Sequence, residues 1–350
     1  MGQRLCLGSA LQFKVIESMP EMLNGNKVSA DVVEWRLARP EDGPVWVALT
    51  REGRMPLVPR EALVEPDQRV LRDKLEQHEE LERFLASPAD DHDRRFLLWR
   101  SSRPLGRLCF NVRDAKAQLE GIALLPTAGP EVIEQVARAA VERAREAEVK
   151  VIRAAYEARH AAAFEAAGFR ELRRYTPMVA ATRRVEEESV EDGAGVLSMV
   201  YRVRPIEYAD SDLLNGILHD PALEEVDRRD RSPTEWLAEM AQLLTESDNA
   251  ALPECTIVAE LRQERKLAGA VLVSRWQGAA LIDDLAVLPS YRNQGIASAL
   301  LRRAMQCLHQ RGYVSVMLVV EEGAPVQAFY RQLGFREVQP SYVEAEWALI

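Results

Sequence analysis

The stretch Asp284-Leu-Ala-Val-Leu-Pro-Ser-Tyr-Arg-Asn-Gln-Gly-Ile-Ala-Ser-Ala-Leu-Leu301 carries residue types that can hold an anion. Arg292, Gly295 and Ala297 stand at the spacing Arg-x-x-Gly-x-Ala, after an apolar run that Pro289 stops. Ile296, Leu300, Leu301, Ala304, Cys307 and Leu308 then recur at helical spacing, which predicts a helix over 294–311. The first turn of a helix has unpaired N–H donors and partial positive charge. Small residues at 295 and 297 let a ligand come close to that backbone. In physical terms this is a phosphate cradle, though the same letters fit a turn that binds nothing. Nearby carboxylates could take a proton, bind a cation or face water. Asp283 and Asp284 alternate on the strand before the loop, so one faces each side; Asp283 shares a side with Leu285 and Val287 unless a bulge exchanges them. Glu321 ends the neighbouring strand. The five histidines, His219 and His309 among them, have no partners at metal or triad spacing, and no metal is expected.

The Arg292-x-x-Gly295-x-Ala297 spacing resembles the pyrophosphate-binding motif of the GNAT superfamily of acyl-CoA-dependent N-acyltransferases. A second stretch, Ala328-Phe-Tyr-Arg-Gln-Leu-Gly-Phe335, resembles that family's later signature at the right distance downstream. The resemblance implies acetyl-CoA as acyl donor and no metal. Pantetheine would run along Leu285, Ala286 and Val287 like an added strand. The pyrophosphate would sit on the loop and helix start Arg292, Asn293, Gln294, Gly295, Ile296, Ala297 and Ser298, with Phe329 also beside the cofactor. Tyr330 occupies the usual position of the family's general acid, and Asp283, Asp284 or Glu321 would serve if a base is needed. Gly323 stands where many members carry an asparagine, a departure from the family pattern that puts one common substrate-side contact in doubt. The function implied is acetyl transfer to a primary amine on a small molecule or peptide. The acceptor could be a protein N-terminus or an aminoglycoside-like polyamine. A non-catalytic acyl-CoA sensor is the alternative of a different class.

The elements that position these residues come in two sets. The chain has 350 residues, 47% of them hydrophobic and 29% charged, enough for two cores. An internal repeat is visible: Gly121-Ile-Ala-Leu-Leu-Pro126 matches Asp284-Leu-Ala-Val-Leu-Pro289, and Ala162-Ala-Phe-Glu-Ala-Ala-Gly-Phe169 matches Ala328 to Phe335. The expected fold is therefore α+β, two tandem GNAT-like units, each a mixed, mostly antiparallel sheet flanked by helices, in a layout similar to mycothiol synthase. The boundaries are an extension over 1–30, a degenerate unit over 31–185, a charged linker over 186–195 and a catalytic unit over 196–350. Set against the second unit, the first has Gly129, Val132 and Glu134 opposite Arg292, Gly295 and Ala297, and Phe164 opposite Tyr330. A glutamate at the cradle would repel pyrophosphate and Phe164 has no proton to give, so the first unit is expected to support the second or to wall its substrate cleft. Strands are expected at 33–37 and 45–49, a charged helix over 66–86, and acceptor-shaping helices over 209–219 and 232–246. The loop 220–231 between them, rich in both charges, could grip a charged acceptor or be solvated.

A net charge of −10 argues against a nucleic-acid partner. No apolar run approaches a membrane span, and no secretion signal is evident. Cys6, Cys109, Cys255 and Cys307 are scattered, which fits free thiols in a cytoplasmic protein acting as a monomer or homodimer.

Overall fold

A computed structural model describes residues 32–53, 81, 95–113, 115–182, 199–210, 213–214, 252–264, 266–276, 279–338 and 340–349. The expectations for 1–30, the 66–86 helix, the linker, most of the 209–219 helix, the 220–231 loop and the 232–246 helix lie outside the described residues.

The first half runs β1 (Glu34–Leu37), α1 (Gly43–Gly53), β2 (Arg95–Arg100), β3 (Arg103–Arg113), β4 (Lys116–Leu124), α2 (Pro130–Glu146), β5 (Val151–Glu157), α3 (Ala161–Ala166) and β6 (Arg170–Ala181). The second runs β7 (Tyr201–Pro205), β8 (Ile257–Leu261), β9 (Leu267–Trp276), β10 (Ala279–Val287), α4 (Ile296–Gln310), β11 (Ser315–Glu321), α5 (Val326–Gln332), β12 (Arg336–Glu337) and β13 (Tyr342–Ala348). Among the described residues the misassigned element is 45–49, expected as a strand and found inside α1. A 3-10 turn over Pro40–Asp42 leads into it, Asp42 accepts the Arg39 N–H, and Trp46 and Leu49 pack together on Leu97 and Trp99. Residues three apart share a helix face, so this pair suits a helix better than a strand.

All the described strands join one mixed sheet in the order β1-β2-β3-β4-β5-β13-β6-β11-β10-β9-β8-β7, with β12 also on β6. The order shows a reciprocal exchange. β13, from the second half, lies between β5 and β6 of the first, with Val343 opposite both Tyr156 and Arg174. β6, from the first half, lies between β11 and β12 of the second. The cores follow the exchange. Val343, Ala345 and Trp347 of β13 are buried among first-half residues such as Val132, Phe164 and Phe169, while Met178 and Ala180 of β6 are buried among Leu300, Leu318 and Phe335. Burying side chains of this size contributes about 1.5–3 kcal/mol each for a Val or Met. Each half therefore depends on a strand of the other.

Both halves share a local device. β10 pairs parallel with β11 only from Ala280↔Val316 to Ile282↔Leu318, and β4 with β5 only from Lys116↔Val151 to Leu119↔Ala154. Each strand then bulges against its other neighbour, between Ile282 and Asp284 in one half and opposite Arg107–Cys109 in the other. Past the bulge the parallel pairing ends, so the two strands are free to part into a cleft. A β-bulge bends its strand and increases local twist, which is the physical cause of the parting.

Candidate active site

The second-half cleft is built at the end of β10. Leu288 N–H donates to the Ala268 carbonyl, and Gly269 faces Val287 so closely that a Cβ there would lie 2.7 Å from the Ala286 oxygen. A 3-10 turn over Pro289–Tyr291 follows, and Arg292 folds back to donate from Nε to the Val287 carbonyl at 3.2 Å. Asn293 (φ 61°) and Gly295 (φ 79°) are left-handed, and Gly295 caps α4. Glycine adopts that conformation without the Cβ penalty. The first helical donor to find a partner beyond the loop is Ala299 N–H, on the Gly295 carbonyl, so the amides of Ile296–Ser298 precede any i−4 acceptor. Residues Asn293, Gln294 and Gly295 are exposed, Ala297 and Ser298 half-buried, and Ile296 is anchored in the core. A helix end of this kind favours an anion.

Sequence reasoning missed the residues that brace this loop. Tyr201 of β7 donates its hydroxyl to Gln294 Oε1 at 2.7 Å, and its ring meets Tyr291 edge-on at 6.2 Å. Burial pushes the Tyr201 phenol up from its ordinary pKa, which keeps it a donor. Gln294 also donates from Nε2 to the Ser290 carbonyl at 3.4 Å, closing the loop on itself. No local pattern near 292–297 points to Tyr201, which is far away in the chain.

The bulge decides the carboxylates. Asp283 is the extra residue, exposed and outside the ladder, while Asp284 pairs with Leu272. Leu285 and Val287 then pack with Ile282 on the α4 face, and Ala286 and Leu288 pack on the opposite one. The unbulged expectation that Asp283 shares a face with Leu285 and Val287 is therefore overturned; Asp284 and Ala286 share the face away from α4. Glu321, at the end of β11, alternates with Val320 and so also lies away from the α4 face. Tyr330 lies on the other side, half-buried on α5 between Phe329 (ring centroids 5.3 Å) and Phe335 (5.7 Å), and Phe329 is half-buried in the same core. The parted strands thus separate a carboxylate face from a phenol face. Gly323, left-handed at φ 80°, donates its N–H to Gln327 Oε1 at 3.3 Å.

The equivalent place in the first half is filled. α2 begins at Pro130, which has no N–H, and is capped by Gly129. The Glu131 carboxylate folds over that end, so near that a Cβ on Gly129 would lie 2.1 Å from Oε2. Its own backbone N–H, then Arg100 at 3.0 Å, lower its pKa and keep it ionised. The buried stripe Val132, Val136, Ala137, Ala140 and Ala144 matches Ile296, Leu300, Leu301, Ala304 and Leu308. That phase sets Glu131, rather than Val132, against Gly295 and corrects the sequence pairing by one residue. Phe164 is fully buried and stacks on Tyr156 at 3.8 Å and 8°. The β11 counterpart of Tyr156 is the smaller Val320 by the same burial alternation, and Tyr330 remains half-exposed.

The family model described as Acetyltransferase (GNAT) family matches residues 221–335. That span holds the cradle, β11 and Tyr330. That span is similar to the GNAT acetyltransferase family. No curated protein matches the chain. Among solved structures the chain is similar to a GCN5-related N-acetyltransferase from Sphaerobacter thermophilus, at 16% identity and TM-score 0.63, covering 91% of this chain and 96% of that one. It is also similar to a tandem GNAT protein from the clavulanic acid biosynthesis pathway, at 15% identity and TM-score 0.62, covering 90% and 98%. At these identities the likeness concerns the fold, and it extends over both GNAT-like units of the chain. Among the described residues no helix is long and apolar enough to cross a membrane.

Proposed function

We propose that the second half transfers an acetyl group from acetyl-CoA to a primary amine, with the first half held as a non-catalytic partner. The observation that carries the reading is the open N-terminus of α4 behind a left-handed Gly295, inside the span similar to the GNAT family. The residues suit the donor: the amides of 294–298 would hold its pyrophosphate, and the unpaired side of Leu285–Val287 would pair with pantetheine. The amine nitrogen attacks the thioester carbonyl carbon from the face of Asp283, Asp284 and Glu321. The new C–N bond forms, the C–S bond breaks, and the sulfur takes a proton from Tyr330 on the opposite face. The amine's proton passes to a carboxylate or to water, and Tyr330 is reset from solvent. Amides near Val287 would steady the charge that develops on the carbonyl oxygen. Free thiols at Cys109, Cys255 and Cys307 suit a reducing cytoplasm.

The test is Tyr330→Phe in the full chain, with a screen of amine acceptors read by release of free CoA. Turnover should fall on the order of a hundredfold while acetyl-CoA affinity, measured by calorimetry, holds. Undiminished turnover would remove Tyr330 from the mechanism. Binding of acetyl-CoA without turnover of any amine by the unaltered protein would favour a sensor.

A further inference from the structure

The cradle loop is held from outside itself. Two of its bonds are local: Arg292 Nε donates to the Val287 carbonyl at 3.2 Å, and Gln294 Nε2 to the Ser290 carbonyl at 3.4 Å. A third comes from β7, the end strand of the sheet, separated from β10 by β8 and β9. Tyr201 pairs with Leu261 of β8 and is only 5% exposed, in the core that α4 shares. Its hydroxyl nevertheless reaches Gln294 Oε1 at 2.7 Å, and its ring meets Tyr291 edge-on at 6.2 Å. One buried side chain thus touches the loop on both sides of Arg292 and Asn293. Gln294 stands between two left-handed residues, Asn293 (φ 61°) and Gly295 (φ 79°). A non-glycine residue persists in that region where its surroundings hold it. Gln294 is exposed, so hydrogen bonds rather than packing fix it. In the first half the contact between the β1 edge and the matching helix is Val33 N–H on Gln135 Oε1 at 2.8 Å, which lies inside α2 and past Glu131.

We propose that Tyr201 is a positioning residue for the donor: through Gln294 it holds the 293–295 bend in the shape that presents the α4 N-terminus, and it thereby sets the affinity for acetyl-CoA. The inference rests on the acetyltransferase reading of the cradle and adds to it a residue remote in sequence. A loop already in its bound shape loses less conformational freedom when the ligand arrives. Tyr201 suits that task because packing has already fixed its ring, so the bond to Gln294 orders little else. Burial also raises its phenol pKa, which keeps the hydroxyl a donor. It touches no ligand and moves no proton. Removing the hydroxyl would release the exposed Gln294 amide to water rather than strand it in a core, so the effect falls on the loop and not on the fold.

The experiment uses full-length protein with acetyl-CoA as the probe, affinity read by calorimetry and stability by thermal unfolding. Tyr201→Phe keeps the ring and removes the hydroxyl. Gln294→Ala removes the other partner and keeps the backbone amide. Each should weaken acetyl-CoA binding by about fivefold, the worth of one neutral hydrogen bond. The double variant should bind no more weakly than either single one, because both break the same bond. The melting temperature should stay within about 2 °C throughout. Unchanged affinity in both single variants overturns the proposal and leaves the cradle reading standing. Losses that add in the double variant also overturn it, since Tyr201 would then act by a route other than Gln294. Failure of the unaltered protein to bind acetyl-CoA sinks the cradle reading, and the role of Tyr201 with it. Gln294 is exposed, so Gln294→Ala carries the test if Tyr201→Phe is unstable.

Discussion

The two halves present the same end of the same helix in opposite states. At α4 the cap is a left-handed glycine and the first amides are open; at α2 the cap is followed by Pro130 and closed by the Glu131 carboxylate. Near each helix, one half keeps a phenol at the edge of a cleft and the other stacks Phe164 on Tyr156 where that cleft would be. The comparison teaches that a repeated fold can retain its architecture while its anion site is satisfied from within. Glu131 supplies the negative charge that the helix end favours, so the first half is stabilised by what a ligand would otherwise provide.

The strongest way to break the comparison is to separate the halves. A fragment over residues 31–185 lacks β13, and its β5 and β6 lose their shared partner. It should give no cooperative thermal transition by circular dichroism; a sharp one would mean that the exchange is dispensable. A gentler version is Trp347→Ala. Trp347 is 94% buried in the first-half core, against Gly168, and its loss should cost about 3–5 kcal/mol in chemical denaturation. The effect should appear in first-half probes such as Trp35 fluorescence, although the mutation lies in the second half of the sequence.

Smaller changes test the cradles against each other. Gly295→Asp places a carboxylate at the α4 end, as Glu131 does at α2, and aspartate tolerates the left-handed backbone better than most residues. Acetyl-CoA affinity should drop by about a hundredfold, since like charges brought together cost several kcal/mol. Glu131→Gln should leave that affinity within about twofold; a second bound acetyl-CoA per chain would mean that only this carboxylate keeps the first half empty.

The smallest effect concerns His160, at the start of α3. Burial, then the nearby Arg159 charge, lower its pKa from 6.5 to about 4. The native state prefers the neutral ring, so the unfolded chain takes up the proton first as pH falls. Stability from this residue is present above pH 6.5 and is lost between 6.5 and 4. The melting temperature should decline over that window, and less steeply in His160→Gln; identical slopes would remove His160 from the account.

Much of this was legible in the sequence because it is local. The cradle is contiguous, the helices carry their own periodicity, and Phe164 against Tyr330 needed only the repeat. Elsewhere local signals were incomplete. Val45-Trp-Val-Ala-Leu49 has strand composition, yet the spacing of Trp46 and Leu49 on Leu97 and Trp99 makes it helix. The side taken by Asp284 depends on a bulge, and one inserted residue exchanges every face beyond it. The pairing of Tyr175 with Glu321 and Tyr342 joins strands remote in sequence, and no short-range pattern encodes such a register.

The exchanged strand also sets a schedule for the nascent chain. β13 follows β6 by about 160 residues, so at ordinary translation rates the slot between β5 and β6 waits on the order of 10–30 s after leaving the ribosome before its occupant exists. During that interval two strand edges stand unpaired, the condition under which chains pair with the wrong neighbour. Chaperone demand and expression yield should therefore depend on how quickly the second half is made.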